Sequence, residues 1–389
     1  MAQQSTNDPA SQLNLGRING TGNATNNRDL YLKLFSGEMF TGFQRETIAR
    51  DLVQKRTLTN GKSLQFIYTG RTTAEYHTPG NSILGNDQKA PPVAEKTITV
   101  DDLLISSAFV YELDETLSHY ELRGEISRKI GYALAQKYDR LIFRAIAKGA
   151  RQASPVSMTN FVEPGGTQIQ VGGGSDADDA YNSTHLINAF YDAAAALDEK
   201  GVSEDGRVAV LTPRQYYALI QNIESNGLIN RNERGDALQS GNGIIEIAGI
   251  QIFKSMNIPF FSKYGTKYAP ASGASAATDL ATADPGNTGS WVSEGIETAN
   301  TATGNNYGAR QNYGAASNFA NSCGLIFQRE AAGVVETIGP QVQVTSGDVS
   351  VVYQGDVILG RMAMGADFLN PAASVELFAG TSTKPAAFN

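Results

Sequence analysis

The chain has 389 residues, enough for two medium domains that each bury a core. Its 41% hydrophobic and 18% charged content is that of a globular protein slightly poor in charge. A formal net charge of −8 argues against generic nucleic-acid or anionic-membrane binding over the whole surface, and no apolar run approaches a membrane span.

The opening, MAQQSTNDPASQ, has neither a basic patch nor an apolar core, so no secretory signal is expected. From Met1 to Asn27 the chain is dominated by Asn, Gln, Ser, Thr and Gly and reads as an arm that buries too little to order alone. Arg28–Leu58 mixes Leu30, Leu34, Phe35, Phe43, Ile48 and Leu52 with charges and predicts short helices broken near Gly37. Lys62–Arg71 and Glu95–Leu104 then read as two strands joined by a polar tip, Thr72–Ala94. Leu64, Phe66 and Tyr68 alternate with Ser63, Gln65 and Thr69, and Ile98 and Val100 with Thr97 and Thr99. A two-stranded ribbon is marginal alone in water, so this one is expected to find part of its stabilising surface on a neighbour.

A long helix follows. Ser118-His119-Tyr120-Glu121 has the form of a capping box, and Leu122, Ile126, Ile130, Leu134, Tyr138 and Leu141 make one apolar stripe. Arg123, Glu125, Arg128, Lys129, Lys137, Asp139, Arg140 and Arg144 are expected largely off that stripe, with Gly149 as a left-handed stop. Such a helix would extend roughly 45 Å. Pro164–Asp179 reads as a Gly-rich linker, beyond which the pattern becomes α/β. A helix is predicted from about Thr184 to Lys200 with Leu186, Phe190, Ala194 and Leu197 inward, and a buried strand over Arg207–Leu211. Thr212-Pro213-Arg214-Gln215 opens another helix, and Gly243–Pro259 reads as a hairpin turning at Ala248-Gly249. Tyr268–Ser322, rich in Ala, Gly, Ser, Thr and Asn, has no sustained periodicity and reads as either a long surface insertion or a partly mobile lobe. Strands return at Gly324–Phe327, Gly333–Thr345, Val349–Tyr353, Asp356–Met364 and Val375–Phe378.

Nothing in this order makes a case for an enzyme. The one cysteine, Cys323, sits in an apolar run and reads as a buried hydrophobe, and His77, His119 and His185 are far apart, so no zinc site and no cofactor are expected. Gly172-Gly173-Gly174 before Ser175–Asp179 lacks the spacing of a calcium loop. Asp101-Asp102 and Asp178-Asp179 read as solvated pairs rather than catalytic dyads. Walker, dinucleotide and nucleophile-elbow motifs are all missing.

The order of parts resembles the major capsid protein of short-tailed, T-seven-like tailed phages, with the α+β fold named after phage Hong Kong ninety-seven. GKSLQFIYTGRTTAEYHTPG (Gly61–Gly80) resembles that branch's extended loop and LDETLSHYELRGEISRKIGYALAQKYDRLIF (Leu113–Phe143) its spine helix. Gly243–Pro259 is similar to an axial-domain hairpin, and Arg361–Gly365 with Asn370-Pro371-Ala372-Ala373 to the closing segment. The resemblance implies an N-terminal arm at 1–28, peripheral-domain entry helices at 29–59, an extended loop at 60–97 and a peripheral domain with spine helix at 98–155. It further implies an axial domain at 156–330 that contains the insertion 268–322, peripheral strands at 331–364, and an axial return and tail at 365–389.

By the same resemblance, Phe66, Tyr68, Arg71, Glu75, Tyr76 and Lys89 are the expected intersubunit contacts of the loop. Arg123, Glu125, Arg128 and Lys129 belong to the spine helix beside packaged genome, and Glu336, Gln341 and Gln343 to a three-fold contact. The implied partners are further copies in hexamers and pentamers, a scaffolding protein, a portal at one vertex and packaged double-stranded DNA, with no membrane. The implied place is the virion, after assembly in the host cytoplasm, in a shell without covalent cross-links. An encapsulin-type nanocompartment shell and a secreted adhesin-like β-protein are the competing readings.

Overall fold

A computed structural model describes residues 48–70, 76–80, 92–100, 103–112, 122–156, 163–174, 177–220, 245–255, 257–258, 322–345 and 354–386. The described residues within Asp102–Lys137 and Thr337–Met364 form one compact unit; those within Ile48–Asp101, Tyr138–Glu336 and Gly365–Asn389 form the other. The arm, the tip residues 72–75 and 81–91, the capping box, the insertion up to residue 321 and the expected strand Val349–Tyr353 lie outside the described residues.

The larger unit is built on a six-stranded sheet in the order β5-β12-β9-β6-β8-β7. Its strands are β5 (Thr167–Gln170), β6 (Arg207–Leu211), β7 (Ile245–Ile247), β8 (Ile250–Lys254), β9 (Ser322–Gln328) and β12 (Ser374–Phe378). Every residue of β6 is buried, the pattern of a central strand covered on both faces. Two helices, α3 (Ser183–Glu199) and α4 (Pro213–Ile220), bring Leu186, Phe190, Leu197, Tyr216 and Leu219 into one core with Ala209, Ile252, Ile326 and Leu377.

Local signals account for these boundaries. The Asn182 side chain accepts from the Thr184 amide and caps α3. The Gln215 carboxamide oxygen accepts from the Thr212 amide at 3.0 Å and from its hydroxyl at 2.9 Å, closing the start of α4. At the hairpin tip Ala248 and Gly249 both take positive φ, 53° and 74°, as a two-residue loop between twisted strands requires. Cys323 is buried in β9, where burial, helped by Glu376, pushes its thiol pKa up.

In the smaller unit β4 (Leu104–Tyr111) runs antiparallel to the first half of β11 (Gly355–Phe368), pairing Tyr111 with Gly355 and Leu104 with Met362. One face carries the buried Val110, Ile358 and Met362 and is covered by α2 (Leu122–Ala150). The contact is close: a Cβ on Gly360 would lie 2.3 Å from Ile130 and 2.9 Å from Leu134. The sheet to which they belong has the order β1-β10-β11-β4, with β1 (Gln54–Thr57) parallel to the start of β10 (Ala332–Thr345).

Several expectations change. Only one turn, α1 (Ala49–Leu52), is helical in the described part of Arg28–Leu58, and Gln54–Thr57 is a strand because β10 offers it a parallel edge. The expected strand Glu95–Leu104 ends at Thr99, and Leu104 starts β4. Residues of the expected linker become β5, paired with β12, and a 3-10 turn at Ala177–Tyr181. Gly149 does not stop α2 in a left-handed conformation. It lies inside the helix where an added Cβ would meet Phe368 Cβ at 2.8 Å, and the helix continues to Ala150. Asp139, Arg140 and Arg144 are buried rather than off the core, because the second half of α2 is enclosed on every side by the larger unit.

Candidate functional site

Alternation in the sequence places the ribbon's two faces. Its strands β2 (Ser63–Thr69) and β3 (Val93–Thr99) pair antiparallel, Phe66 opposite Lys96, Tyr68 opposite Ala94 and Ile67 opposite Glu95. Bonds from the Gly70 amide to Pro92 and from the Val100 amide to Lys62 extend the ladder at both ends. Side chains alternate across a strand, so Leu64, Phe66, Tyr68, Ala94, Lys96 and Ile98 share the inner face. Ala94, Ile98 and the following Val100 are buried against the larger unit of the same chain. Phe66 and Tyr68 are half-buried over a cleft of about 420 Å³, lined also by Gln54, Lys96, Glu163 and Glu330. The outer face carries Gln65, Ile67, Thr69, Val93, Glu95 and Thr97 and meets solvent, with Ile67 78% and Val93 58% exposed. Tyr76, near the tip, is fully exposed.

The ribbon's inner face is therefore largely covered by its own chain, and its outer face, with Ile67 and Val93 among polar residues, is open. The exposed Ile67 and Val93 escaped the sequence reading because they sit among Gln, Thr and Glu on the side taken as polar. Ile67 and Val93 are diagonal neighbours on this face, and a contiguous exposed apolar patch rimmed by polar groups is a signature of a contact surface.

The smaller unit has a comparable face. Opposite the side covered by α2, the register sets Ile105 beside Arg361, Ser107 beside Leu359 and Phe109 beside Val357. Ile105 is 58% exposed and the neighbouring Leu103 is exposed too, while Phe109, Val357, Leu359 and Arg361 are half-buried. Arg361 Nε is shielded from solvent without a hydrogen-bond partner.

Buried polar groups fix the body beneath. Glu336 accepts from Tyr138 Oη at 2.8 Å and pairs with Lys55 at 2.6 Å and Arg50 at 3.3 Å. Burial pushes its pKa up, but these donors outweigh that and hold it below the usual range. Burial, with the Glu336 bond, raises the Tyr138 phenol. Next along the helix, Asp139 accepts from the Ile48 and Ala49 amides at 3.1 and 3.2 Å and from Asn257 at 3.2 Å, yet burial lifts its pKa to about 6. Further on, Arg151 makes a two-pronged pair with Glu376 at 2.7 and 2.6 Å, which Gln168 and Ser322 complete.

Of the sequence-selected residues, Phe66 and Tyr68 come together on the ribbon's inner face, and Arg71, Glu75 and Lys89 lie outside the described residues. Arg128 and Lys129 are exposed on α2, and the side chains of Arg123 and Glu125 lie outside the description. Gln341 and Gln343 are exposed. Glu336 is not available to a neighbour, since its carboxylate is satisfied inside the chain. Among the described residues there is no cluster of three or more metal-ligating side chains, and no helix is long and apolar enough to cross a membrane.

The family model described as Gp10A-like, major capsid protein, matches residues 65–294, more than half of the chain. The major capsid protein of Escherichia phage T7 is 26% identical over 353 residues, 89% of this chain and 90% of that protein. The capsid structure of the cyanophage P-SCSP1u superimposes with a TM-score of 0.64 at 30% identity, covering 94% of this chain and 98% of that one. The asymmetric unit of the bacteriophage PhiM1 mature capsid shares the fold at a TM-score of 0.60 and 15% identity, over 95% and 98% of the two chains.

Proposed function

This chain belongs to the Gp10A-like family of phage major capsid proteins, and from that premise we propose how its copies hold one another in the shell. It is a structural protein of the virion capsid with the Hong Kong ninety-seven fold. Its copies close into hexamers and pentamers, and the ribbon of each lies with its outer face on a second copy. The receiving surface is the open face of β4 and β11. Ile67 and Val93 meet Ile105, Phe109 and Leu359 there, and Glu95 meets Arg361. The supporting observation is complementarity: each face exposes apolar side chains among polar ones, one face carrying a carboxylate and the other a shielded guanidinium nitrogen without a hydrogen-bond partner.

Arg71, Glu75, Tyr76 and Lys89 extend this contact at the tip, and Gln341 and Gln343 face a three-fold junction. Arg123, Glu125, Arg128 and Lys129 lie beside packaged double-stranded DNA. Mixed charge there suits a wall that must not trap the genome, because phosphate binding grows with each uncompensated cation. Scaffolding protein guides the assembly and a portal occupies one vertex. The phage reading is favoured over a nanocompartment by the likeness to the T7 major capsid protein along 89% of this chain.

The test is Ile67→Asp with Val93→Asp. Both side chains are mostly exposed, so the unassembled chain should keep its melting temperature within the small effect of surface changes. Particle yield in sedimentation should collapse; normal particles from the double variant would refute the contact.

A further inference from the structure

The ribbon leaves the larger unit over a joint that none of the assembly contacts uses. Lys96, at the middle of its inner face, places Nζ 3.5 Å from the centroid of the Phe368 ring and 3.2 Å from Asp367 Oδ2. Lys148 of α2 approaches the same carboxylate at 3.7 Å and the same ring at 5.5 Å. The platform itself is closely packed. Phe368 is buried, its amide donates to Asp367 Oδ1 at 2.9 Å, and its Cβ lies where a side chain on Gly149 would stand. One strand-width along, Thr99 and Val100 approach Gly365 so closely that an added Cβ would lie 2.2 Å from the Thr99 carbonyl oxygen. Across the ladder from Lys96 and the buried Ala94, Phe66 and Tyr68 are half-buried over the cleft. Lys96 is the charged attachment of the inner face, between the buried Ala94 and Ile98, and it bonds through charge and ring face, both directional.

We propose that Lys96 is a positioning residue for assembly: seated on Phe368 and Asp367, it sets the angle at which the ribbon projects toward its neighbour. This rests on the ribbon being an intersubunit element and adds the device that aims it. The joint acts in the lone chain, so the ribbon is oriented before any neighbour arrives and less freedom is lost on contact. A methionine at position 96 would keep the reach and lose the charge. An arginine keeps both the charge and the ring contact.

The ribbon's attitude can be read directly because Cys323 is buried, leaving introduced cysteines as the ones that label. Spin labels at Gln65→Cys on the outer face and Glu204→Cys on the larger unit report a distance distribution in the full-length, unassembled chain. The joint predicts a narrow distribution in the parent and in Lys96→Arg, and at least a doubling of its width in Lys96→Met, with particle yield falling at unchanged melting temperature. Asp367→Asn serves as a second variant should Lys96→Met fail to fold, and is expected to broaden the distribution in the same way. An unchanged width in the variant that folds would overturn the joint. A broadened distribution with normal particles would overturn its role in assembly while leaving the ribbon contact intact. The contact itself fails separately, through normal particles from Ile67→Asp with Val93→Asp.

Discussion

The Arg151–Glu376 pair offers the sharpest test of the larger unit's energetics. Both side chains are essentially inaccessible to solvent, and the carboxylate takes two bonds from the guanidinium, one from Gln168 at 3.1 Å and one from Ser322. Arg151 also donates to the Ala386 carbonyl at 3.3 Å, and Gln168 to the Pro385 carbonyl at 3.0 Å, so the pair fastens the C-terminal tail to the sheet. Arg151→Met fills similar space but leaves a buried carboxylate facing two neutral donors. Removing one partner of a buried ion pair typically costs about 3–5 kcal/mol. Adding Glu376→Gln removes the stranded charge and should recover more than half of the loss. Urea unfolding of the unassembled chain, followed by tryptophan-independent far-ultraviolet dichroism, would measure both variants. A loss below about 1 kcal/mol for Arg151→Met, or no recovery in the double variant, would refute the claim that this centre is dry and mutually dependent.

Two further outcomes follow from the same unit. Gly149→Ala should destabilise by about 1 kcal/mol in thermal unfolding. The overlap with Phe368 Cβ and Ser374 Oγ, at 2.8 and 3.2 Å, costs about 1–3 kcal/mol, against about 1 kcal/mol gained in helix propensity. Asp139 should give stability a pH slope of unusual sign. Its folded pKa of about 6 exceeds its ordinary 3.8, so the folded chain binds more protons between those values and this group's contribution falls as pH rises through them. Glu336, held low by Lys55, Tyr138 and Arg50 in spite of burial, contributes the opposite slope, its stabilisation being lost as pH falls. Asp139→Asn keeps Glu336 and removes the first slope. Its deficit against the parent should therefore be larger at pH 4.5 than at pH 7, and an equal deficit at both would contradict the assignment.

What could be seen in the chain beforehand was whatever local chemistry decides. Thr212-Pro213-Arg214-Gln215 closes a helix start by bonds within four residues, and Ala248-Gly249 turns a hairpin by its own backbone preference, so both stand where the residues place them. The C-terminal strands β9 and β12 were also legible, since burial on both faces leaves apolar runs, and β10 and β11 were legible from their β-branched and alternating residues. Strands β1, β4 and β5 were not. Each is stabilised by an edge far away in sequence, β10, β11 and β12 respectively, and Gln168 and Gln170 of β5 resemble linker residues until that edge is present. Charge misled in the same way. Asp139, Arg140 and Arg144 look solvent-facing beside a clean apolar stripe, and only enclosure by the larger unit makes the whole helix end interior. On the ribbon, period-two alternation found the correct inner face and thereby hid the outer one. Exposed apolar residues such as Ile67 are ones that folding of a single chain gives no reason to expect.

The most direct measurement places a photo-crosslinking amino acid at Ile67 in particles assembled from equal parts isotopically light and heavy chain. Mass spectrometry of the linked peptides should find mixed light–heavy pairs joining the ribbon to Leu103–Phe109 or Val357–Arg361 of another copy. Pairs confined to a single chain, or intermolecular links only elsewhere on the molecule, would contradict the account.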